Sequence, residues 1–337
     1  MFCDTKGIRL AYDEQGTGLP LVFLHAFPLN RSMWTPQTTA LSRQFRTIAV
    51  DLRGHGESDA PLWAFSLEDY ADDVCALLDH LAIPQAVLVG LSMGGYVGFA
   101  FSRKYGNRLK GLVLADTRAQ ADSPEGRTGR FNLAQTAYGK GADAVADIML
   151  PKLLGATSLQ QKPELVDYVR RTIRDTPVSG ILVDLMAMAN RPDSVAHLRA
   201  LTCPTLVVVG QEDHTTPLAD AQVMATEIPG ARLAVIPAAG HLSNLEQPEV
   251  FNDLVRNFVE ELRAAGEQFP SLTLLPRINF QNSSRVCCCV RNTPSMELLT
   301  ATVFCFSTPR IIMQRCRASI TTATPCAFSF FFSVSAI

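Results

Sequence analysis

One serine of this chain lies in a pattern that can turn its hydroxyl into a nucleophile. Residues 90–95 read Gly-Leu-Ser-Met-Gly-Gly, directly after the apolar run Ala86–Val89 and before an apolar segment that can continue as a helix. Between a strand and a helix, Gly-x-Ser-x-Gly is typical of a nucleophile elbow, in which Ser92 occupies a strained tight turn. Side chains at Gly90 and Gly94 would collide with neighbouring backbone, so both glycines support the turn. The alternative is a glycine-rich turn without chemistry.

His241 is the histidine whose position best suits a base for this serine. A serine hydroxyl is a weak nucleophile and needs a base beside it. His241 follows the last predicted strand and precedes the last strong helix. It therefore lies in a loop at the carboxyl edge of the sheet, where Ser92 also lies. His25 and His55 also lie in loops at strand ends and remain competitors.

The third member of a triad is an acid that orients the imidazole, and two aspartates qualify. Asp213 follows the run Thr205–Val209 and precedes His241, which gives the chain order Ser, Asp, His. Asp116 also ends a predicted strand at the same edge and remains the alternative. Position and order favour Asp213.

Two backbone N–H groups are needed where negative charge develops on the substrate oxygen. We expect one from Met93, immediately after the nucleophile. The other is expected from the loop His25-Ala26-Phe27-Pro28, with Phe27 as the donor. His25 begins this loop and is expected to support the site.

Apolar runs without alternation predict the sheet that positions these loops. Parallel strands covered on both faces carry such continuous runs. The amphipathic segment 66–81 between them predicts a helix, with Ser66 as N-cap and Asp69 three residues later. The segment 249–262 predicts another. The predicted strands are Leu19–Leu24, Thr47–Val50, Ala86–Val89, Leu112–Ala115, Thr205–Val209 and Leu233–Ile236.

The alternation of strands and helices is interrupted at residues 118–201. This stretch has no convincing strand and is punctuated by prolines, which predicts several helices. An all-helical insert between core segments 1–117 and 202–264 predicts a cap over the site. Its large apolar side chains predict an apolar roof: Phe131, Leu133, Tyr138, Met149, Leu150, Leu153, Leu154, Leu185, Met186 and Met188.

The last part of the chain, residues 267–337, differs in composition from the rest. Lysine disappears, Ser, Thr, Cys and Phe dominate, and no helix or strand period persists. We expect an appended tail that is poorly ordered or not part of the fold.

Residues 1 to about 264 resemble the α/β-hydrolase superfamily. Five segments match in order: His25 to Pro28, Asp51-Leu52-Arg53-Gly54-His55-Gly56-Glu57-Ser58, Gly90 to Gly95, Gly210-Gln211-Glu212-Asp213 and Gly240-His241. The chain is most similar to the branch that includes 3-oxoadipate enol-lactonases, arylesterases and cofactor-free perhydrolases. The resemblance implies an α/β fold with a mostly parallel sheet, flanking helices and a helical cap insert.

The resemblance also narrows the roles of single residues. It implies that the loop Arg53 to Gly56 supports the site from below, which keeps His55 out of the triad. Dehalogenases and epoxide hydrolases of this fold carry an aspartate at the elbow, so Ser92 argues against both.

Composition excludes some other classes of function. The 337 residues carry 30 basic and 32 acidic side chains, a formal net charge of −2, which argues against binding nucleic acid by phosphate neutralisation. No apolar stretch is long enough to cross a bilayer, and the polar start does not predict a signal peptide. Isolated cysteines in the first 266 residues are typical of a reducing compartment, so we expect a cytoplasmic protein. No metal or cofactor motif is present, and we expect neither.

Together these residues predict hydrolysis of a small carboxylic ester or lactone through an acyl-enzyme. The same triad can also cleave C–C bonds or form peracids. From another class, a ligand receptor on a hydrolase scaffold with negligible turnover remains the alternative. The expected partner is a small-molecule substrate, and the oligomeric state is left open.

Overall fold

The chain folds around an eight-stranded sheet. The computed structural model describes residues 1–5, 7–60 and 66–268, and the strands at 286–290, 300–307, 310–319 and 331–332. Residues 1–269 form one compact unit, and its sheet has the order β1-β2-β4-β3-β5-β6-β7-β8. The strands are β1 (Phe2–Thr5), β2 (Ile8–Gln15), β3 (Pro20–Leu24), β4 (Arg46–Val50), β5 (Ala86–Leu91), β6 (Leu109–Ala115), β7 (Thr205–Gly210) and β8 (Arg232–Ile236).

From β4 to β8 the sheet is parallel, and β1 and β2 are antiparallel additions at one edge. All six strands predicted from apolar runs are present. β1 and β2 were missed because each buries only part of its side chains, and polar residues interrupt the apolar ones along both strands. Such half-buried strands lack the continuous apolar run of a central parallel strand.

Helices pack on the sheet and form the insert. They are α1 (Thr35–Leu41), α2 (Leu67–His80), α3 (Met93–Tyr105), α4 (Pro124–Leu153), α5 (Ala156–Gln161), α6 (Pro163–Arg174), α7 (Val178–Ala189), α8 (Val195–Leu198), α9 (Leu218–Glu227), α10 (Ser243–Glu246) and α11 (Pro248–Gln268). Both helices predicted from amphipathic spacing are present, as α2 and α11. At the start of α2 the Asp69 carboxylate accepts the Ser66 N–H at 2.8 Å, as the predicted capping box requires.

The core lies on both faces of the central strands. The side chains of β5 and β7 are buried along their whole length. On one side, the ring of Trp34 lies 5.1 Å from that of Phe23 and 5.9 Å from that of Phe251, measured between centroids. This aromatic contact joins the loop after β3 to α11 and so fixes the position of that loop.

The helical insert runs from α4 to α8. Helix α4 is broken at Gly141, whose backbone has φ 78° and ψ −179°. Helix α7 lies directly on the loop after β4, because a Cβ added to Gly180 would stand 2.0 Å from the carbonyl oxygen of Gly54. Only glycine at this position permits so close an approach of the two backbones.

Two residues of the predicted roof face solvent instead. Phe131 is 43% exposed and Tyr138 is 83% exposed, so their assignment to an apolar roof was wrong. Both lie in the first part of α4, before the break at Gly141, where Ala137 is the one buried residue. Apolar residues alone do not reveal which helix face is covered, because that depends on where the helix lies.

Residues 270–337 form a second unit. Its described strands are β9 (Val286–Val290), β10 (Thr300–Ser307), β11 (Arg310–Ser319) and β12 (Phe331–Phe332), in an antiparallel sheet of order β12-β11-β10-β9. The sequence shows no strand period here, so these strands differ from the expectation for this part of the chain. Their content of Val, Ile, Thr and Phe favours strands once neighbours pair. The remaining residues of the tail, for which poor order is predicted, lie outside the described residues.

Within the part of the chain described, no helix combines the length and the apolar character needed to span a membrane.

Candidate active site

Ser92 occupies a strained turn between β5 and α3. Its backbone has φ 54° and ψ −110°, a conformation that non-glycine residues rarely adopt. The turn is held by the Ser92 N–H, which donates to the carbonyl of Ala115 at 2.9 Å. A Cβ on Gly90 would stand 2.3 Å from the carbonyl oxygen of Gly94, and one on Gly94 would stand 2.1 Å from that of Leu24. Glycine at both positions is therefore required for the turn to close.

A continuous hydrogen-bond chain links Ser92, His241 and Asp213. The Oγ of Ser92 lies 2.8 Å from Nε2 of His241, and Nδ1 of His241 lies 2.8 Å from Oδ2 of Asp213. All three side chains are buried, and Ser92 keeps 9% of its surface exposed. When Nδ1 carries the ring proton and donates a hydrogen bond to the carboxylate, Nε2 has a free lone pair that can accept the proton of the serine hydroxyl.

The loop after β7 holds Asp213 as an anion. Oδ1 accepts the N–H groups of Thr215 at 2.8 Å and Thr216 at 3.0 Å, and Oδ2 accepts the Thr216 hydroxyl at 2.7 Å. Burial acts to raise the pKa of Asp213. The charge and hydrogen bond of His241 and the bonds from Thr216 outweigh burial, so the pKa lies below its usual value.

Asp116, the alternative acid, binds other partners. Its Oδ1 accepts the N–H of Gly210 at 2.7 Å, and its Oδ2 accepts the hydroxyl of Ser243. Complete burial, followed by the nearby negative charge of Asp213, raises the pKa of Asp116 well above its usual value. Asp116 therefore braces the loops behind the imidazole, while Asp213 contacts it.

The two competing histidines are both hydrogen-bonded to groups outside the proposed triad. Nε2 of His25 accepts the N–H of Leu52 at 3.0 Å, so the ring proton lies on Nδ1, which donates to the carbonyl of Ala26 at 3.0 Å. Burial, and then the charge of His55, lower the pKa of His25 well below its usual value. His25 is thus a neutral support under the loop that it begins.

His55 joins the core to the insert. Its Nε2 is hydrogen-bonded to Asp184 on α7, and the hydroxyl of Tyr70 donates to the same carboxylate. Burial acts to lower the pKa of His55, but the charge and hydrogen bond of Asp184 outweigh it and raise the pKa. His55 contacts neither Ser92 nor Asp213 through a hydrogen bond within the described part of the chain.

The two N–H groups predicted for the oxyanion hole belong to Met93 and Phe27. Met93 is the first residue of α3, where the N–H has no partner within the helix. The N–H of Phe27, in the loop after β3, has no backbone acceptor among the described residues. Both side chains are buried, so the two donors lie in surroundings with little water.

Sequence reasoning missed how the insert is attached to the loops of the site. Glu246, fully buried, accepts the N–H groups of Gly155 at 2.8 Å, Gly240 at 2.9 Å and Leu242 at 3.2 Å. Glu212 likewise reaches the insert, since it accepts the N–H of Thr157 at 2.9 Å. The two bonds from the insert join partners 91 and 55 residues apart, so no short-range pattern reveals them.

A family model described as alpha/beta hydrolase fold matches residues 20–248. The chain belongs to the α/β-hydrolase fold family. This confirms the fold class that the five segments predicted, and it agrees with the mostly parallel sheet and its flanking helices.

Named relatives lie in the predicted branch. The chain is 31% identical to 3-oxoadipate enol-lactonase 2 of Acinetobacter baylyi over 235 residues, covering 70% of this chain and 86% of that protein. A thermophilic esterase from Thermogutta terrifontis is 42% identical with a TM-score of 0.75, covering 78% of this chain and 98% of that one. The enol-lactonase from Burkholderia xenovorans LB400 is 31% identical with a TM-score of 0.73, covering 77% and 100%. The resemblance to enol-lactonases and esterases is confirmed.

Proposed function

We propose that this chain is a serine hydrolase that cleaves a small carboxylic ester or lactone through an acyl-enzyme intermediate. The observation that carries the proposal is the pair of 2.8 Å contacts that join Ser92 to His241 and His241 to Asp213. Relatives named as an enol-lactonase and an esterase support the substrate class.

The first half of the reaction acylates the serine. His241 Nε2 takes the hydroxyl proton as Ser92 Oγ bonds to the carbonyl carbon, and the carbonyl π electrons move to oxygen. The N–H groups of Met93 and Phe27 stabilise this oxyanion. When the carbonyl re-forms, the bond to the alkoxy oxygen breaks, and the imidazolium gives that oxygen its proton. In a lactone this alcohol remains attached to the acyl group.

The second half returns the serine. His241 takes a proton from water as the water oxygen bonds to the acyl carbon, and the oxyanion is stabilised as before. Collapse then breaks the bond to Ser92 Oγ, which receives the proton from His241. The carboxylate of Asp213 stabilises the imidazolium in both halves.

Replacement of the nucleophile tests the proposal. Ser92→Ala is expected to lower kcat for p-nitrophenyl acetate by at least about 10³, since the three side chains act as a unit. Circular dichroism and thermal melting of the variant provide the control for folding. A variant that hydrolyses this ester as fast as the wild type would contradict the assignment.

A substrate panel tests the reaction class. Esters of increasing acyl length and simple lactones are compared with peracid formation from acetate and hydrogen peroxide, using wild type and Ser92→Ala side by side. A fluorophosphonate probe should label the wild type at Ser92 and not the variant. Ester and lactone turnover below peracid formation would replace hydrolysis by perhydrolysis as the main activity.

A further inference from the structure

Thr216 contacts two members of the proposed triad at once. Its hydroxyl donates to Oδ2 of Asp213 at 2.7 Å and lies 3.2 Å from Nδ1 of His241. Oδ2 also accepts the hydrogen bond from Nδ1–H of His241, with 2.8 Å between the two atoms. Thr216 is fully buried, so water does not replace these contacts.

The neighbouring threonine provides a comparison within the same loop. Thr215, like Thr216, gives its backbone N–H to Oδ1 of Asp213. Its hydroxyl points away and donates to the carbonyl of Lys152 on α4 at 2.8 Å. The two residues thus share one role in holding the carboxylate and differ in the hydroxyl.

We propose that Thr216 is a positioning residue that acts through Asp213 on His241. Its hydroxyl holds Oδ2 in line with the imidazole and takes up part of the negative charge on that oxygen. This inference rests on the proposed hydrolase mechanism. It adds to the triad a hydroxyl that fixes both the direction and the strength of the bond between acid and base.

Three elements place other charged groups near Asp213 and His241. Asp116 at the end of β6 and Asp220 on α9 interact electrostatically with Asp213, and Glu246 of α10 interacts with Asp116. Asp220 also lies 3.4 Å from Arg118. Among the described residues, Thr216 is the side chain other than His241 that is hydrogen-bonded to Oδ2 of Asp213.

Removal of the hydroxyl has a predictable direction. Without this donor, Oδ2 presents its full charge to the imidazolium and favours the protonated base. The acid limb of kcat/KM, which reports loss of that proton, should move to higher pH. Looser alignment of the imidazole should also lower kcat about tenfold, the loss expected for one hydrogen bond to a charged group. KM should stay unchanged, because Thr216 acts through Asp213.

The experiment compares Thr216→Val, Thr216→Ser and Thr215→Val in the full chain. kcat and KM for p-nitrophenyl acetate are measured from pH 5 to 9, and the Nδ1 proton resonance is followed by NMR. Thr216→Val should show the lower kcat, the shifted acid limb and a displaced resonance. Thr216→Ser should restore all three, and Thr215→Val, which keeps its backbone N–H to Asp213, should leave the acid limb and the resonance where the wild type has them.

Unchanged kcat and acid limb in a folded Thr216→Val would overturn the proposal, as would a shift of equal size in Thr215→Val. If the Val variant does not fold, Thr216→Ala is judged by the same criteria. Failure of the hydrolase proposal would look different. In that case Ser92→Ala would hydrolyse p-nitrophenyl acetate as fast as the wild type.

Discussion

Asp213 and Asp116 end neighbouring strands at one edge of the sheet, and their surroundings give them different charge states. Asp213 receives three hydrogen bonds from its own loop and faces an imidazole, which together lower its pKa. Asp116 is completely buried beside that anion, and its pKa is raised. Pairs of carboxyl groups whose pKa values are driven apart can take separate roles in one site. Here Asp213 is suited to stabilise a positively charged imidazole, and Asp116 is suited to hold the loops in place.

The raised pKa of Asp116 predicts a specific dependence of stability on pH. In the unfolded chain this carboxyl loses its proton near its ordinary pKa of 3.8, whereas the folded chain retains it to higher pH. The folded state then binds more protons, so the contribution of Asp116 to stability falls as pH rises between the two values. Asp116→Asn removes this titration. We expect the free energy of unfolding of the variant, relative to wild type, to increase from pH 4 upward.

Urea denaturation of both proteins at pH 4, 5, 6, 7 and 8 measures this difference. Thr39→Ser, a change at an exposed side chain that does not titrate, is the control for general pH effects. A difference between wild type and Asp116→Asn that stays constant over this range would contradict the raised pKa.

At the scale of elements, α7 is the helix that fastens the insert to the core. Gly180 packs on Gly54 backbone to backbone, and Asp184 one turn later meets His55 and Tyr70. A close backbone approach combined with a buried ionic contact fixes both the distance and the register of this helix. The insert is also attached at Gly155 and Thr157, whose N–H groups donate to Glu246 and Glu212.

Substitution of Gly180 tests how closely α7 must approach. In Gly180→Ala the new Cβ meets the carbonyl oxygen of Gly54, so the helix must move and we expect a loss of about 1 to 3 kcal/mol of stability. Gly129→Ala is the matched control, because Gly129 lies in α4 with nothing within 4 Å of the new Cβ. Alanine there should stabilise by about 0.5 to 1 kcal/mol. Urea denaturation of the two variants should give opposite signs, and equal effects would contradict this packing.

At the scale of the whole molecule, the sheet brings distant loops to one edge. Ser92 and His241 are 149 residues apart and meet at 2.8 Å because β5 and β8 are strands of one parallel sheet. Parallel strands place all their carboxyl ends on the same side. The insert enters after β6 and leaves before β7, so it attaches beside the same loops.

The proposed triad and the family match both lie before residue 269. A chain that ends after Gln268 should therefore fold and hydrolyse p-nitrophenyl acetate with the same kcat/KM as the full chain. Thermal melting and steady-state kinetics of the two proteins measure this, with Ser92→Ala in the shortened chain as the blank. An insoluble or inactive shortened chain would show that residues 269–337 contribute to the fold or the site.

Several features could be predicted from the sequence because they depend on local pattern. Continuous apolar runs predicted six of the eight strands of the main sheet, and the capping box at Ser66 marked the start of α2. β1 and β2 were not found, because a half-buried strand resembles a polar loop in a single sequence. The prediction that Phe131 and Tyr138 belong to an apolar roof was wrong, because an apolar residue in a helix does not by itself show which face of the helix is buried.

By itself the sequence determined the candidate catalytic groups: a serine in a glycine-bounded turn, histidines and aspartates at strand ends, and the chain order Ser, Asp, His. Only the tertiary structure decided which aspartate faces the imidazole, which histidines are engaged elsewhere, and that Thr216 joins acid and base. The physical reason is range. Turns and strands follow from neighbours along the chain, whereas hydrogen-bond partners and burial arise between segments that the sheet alone brings together.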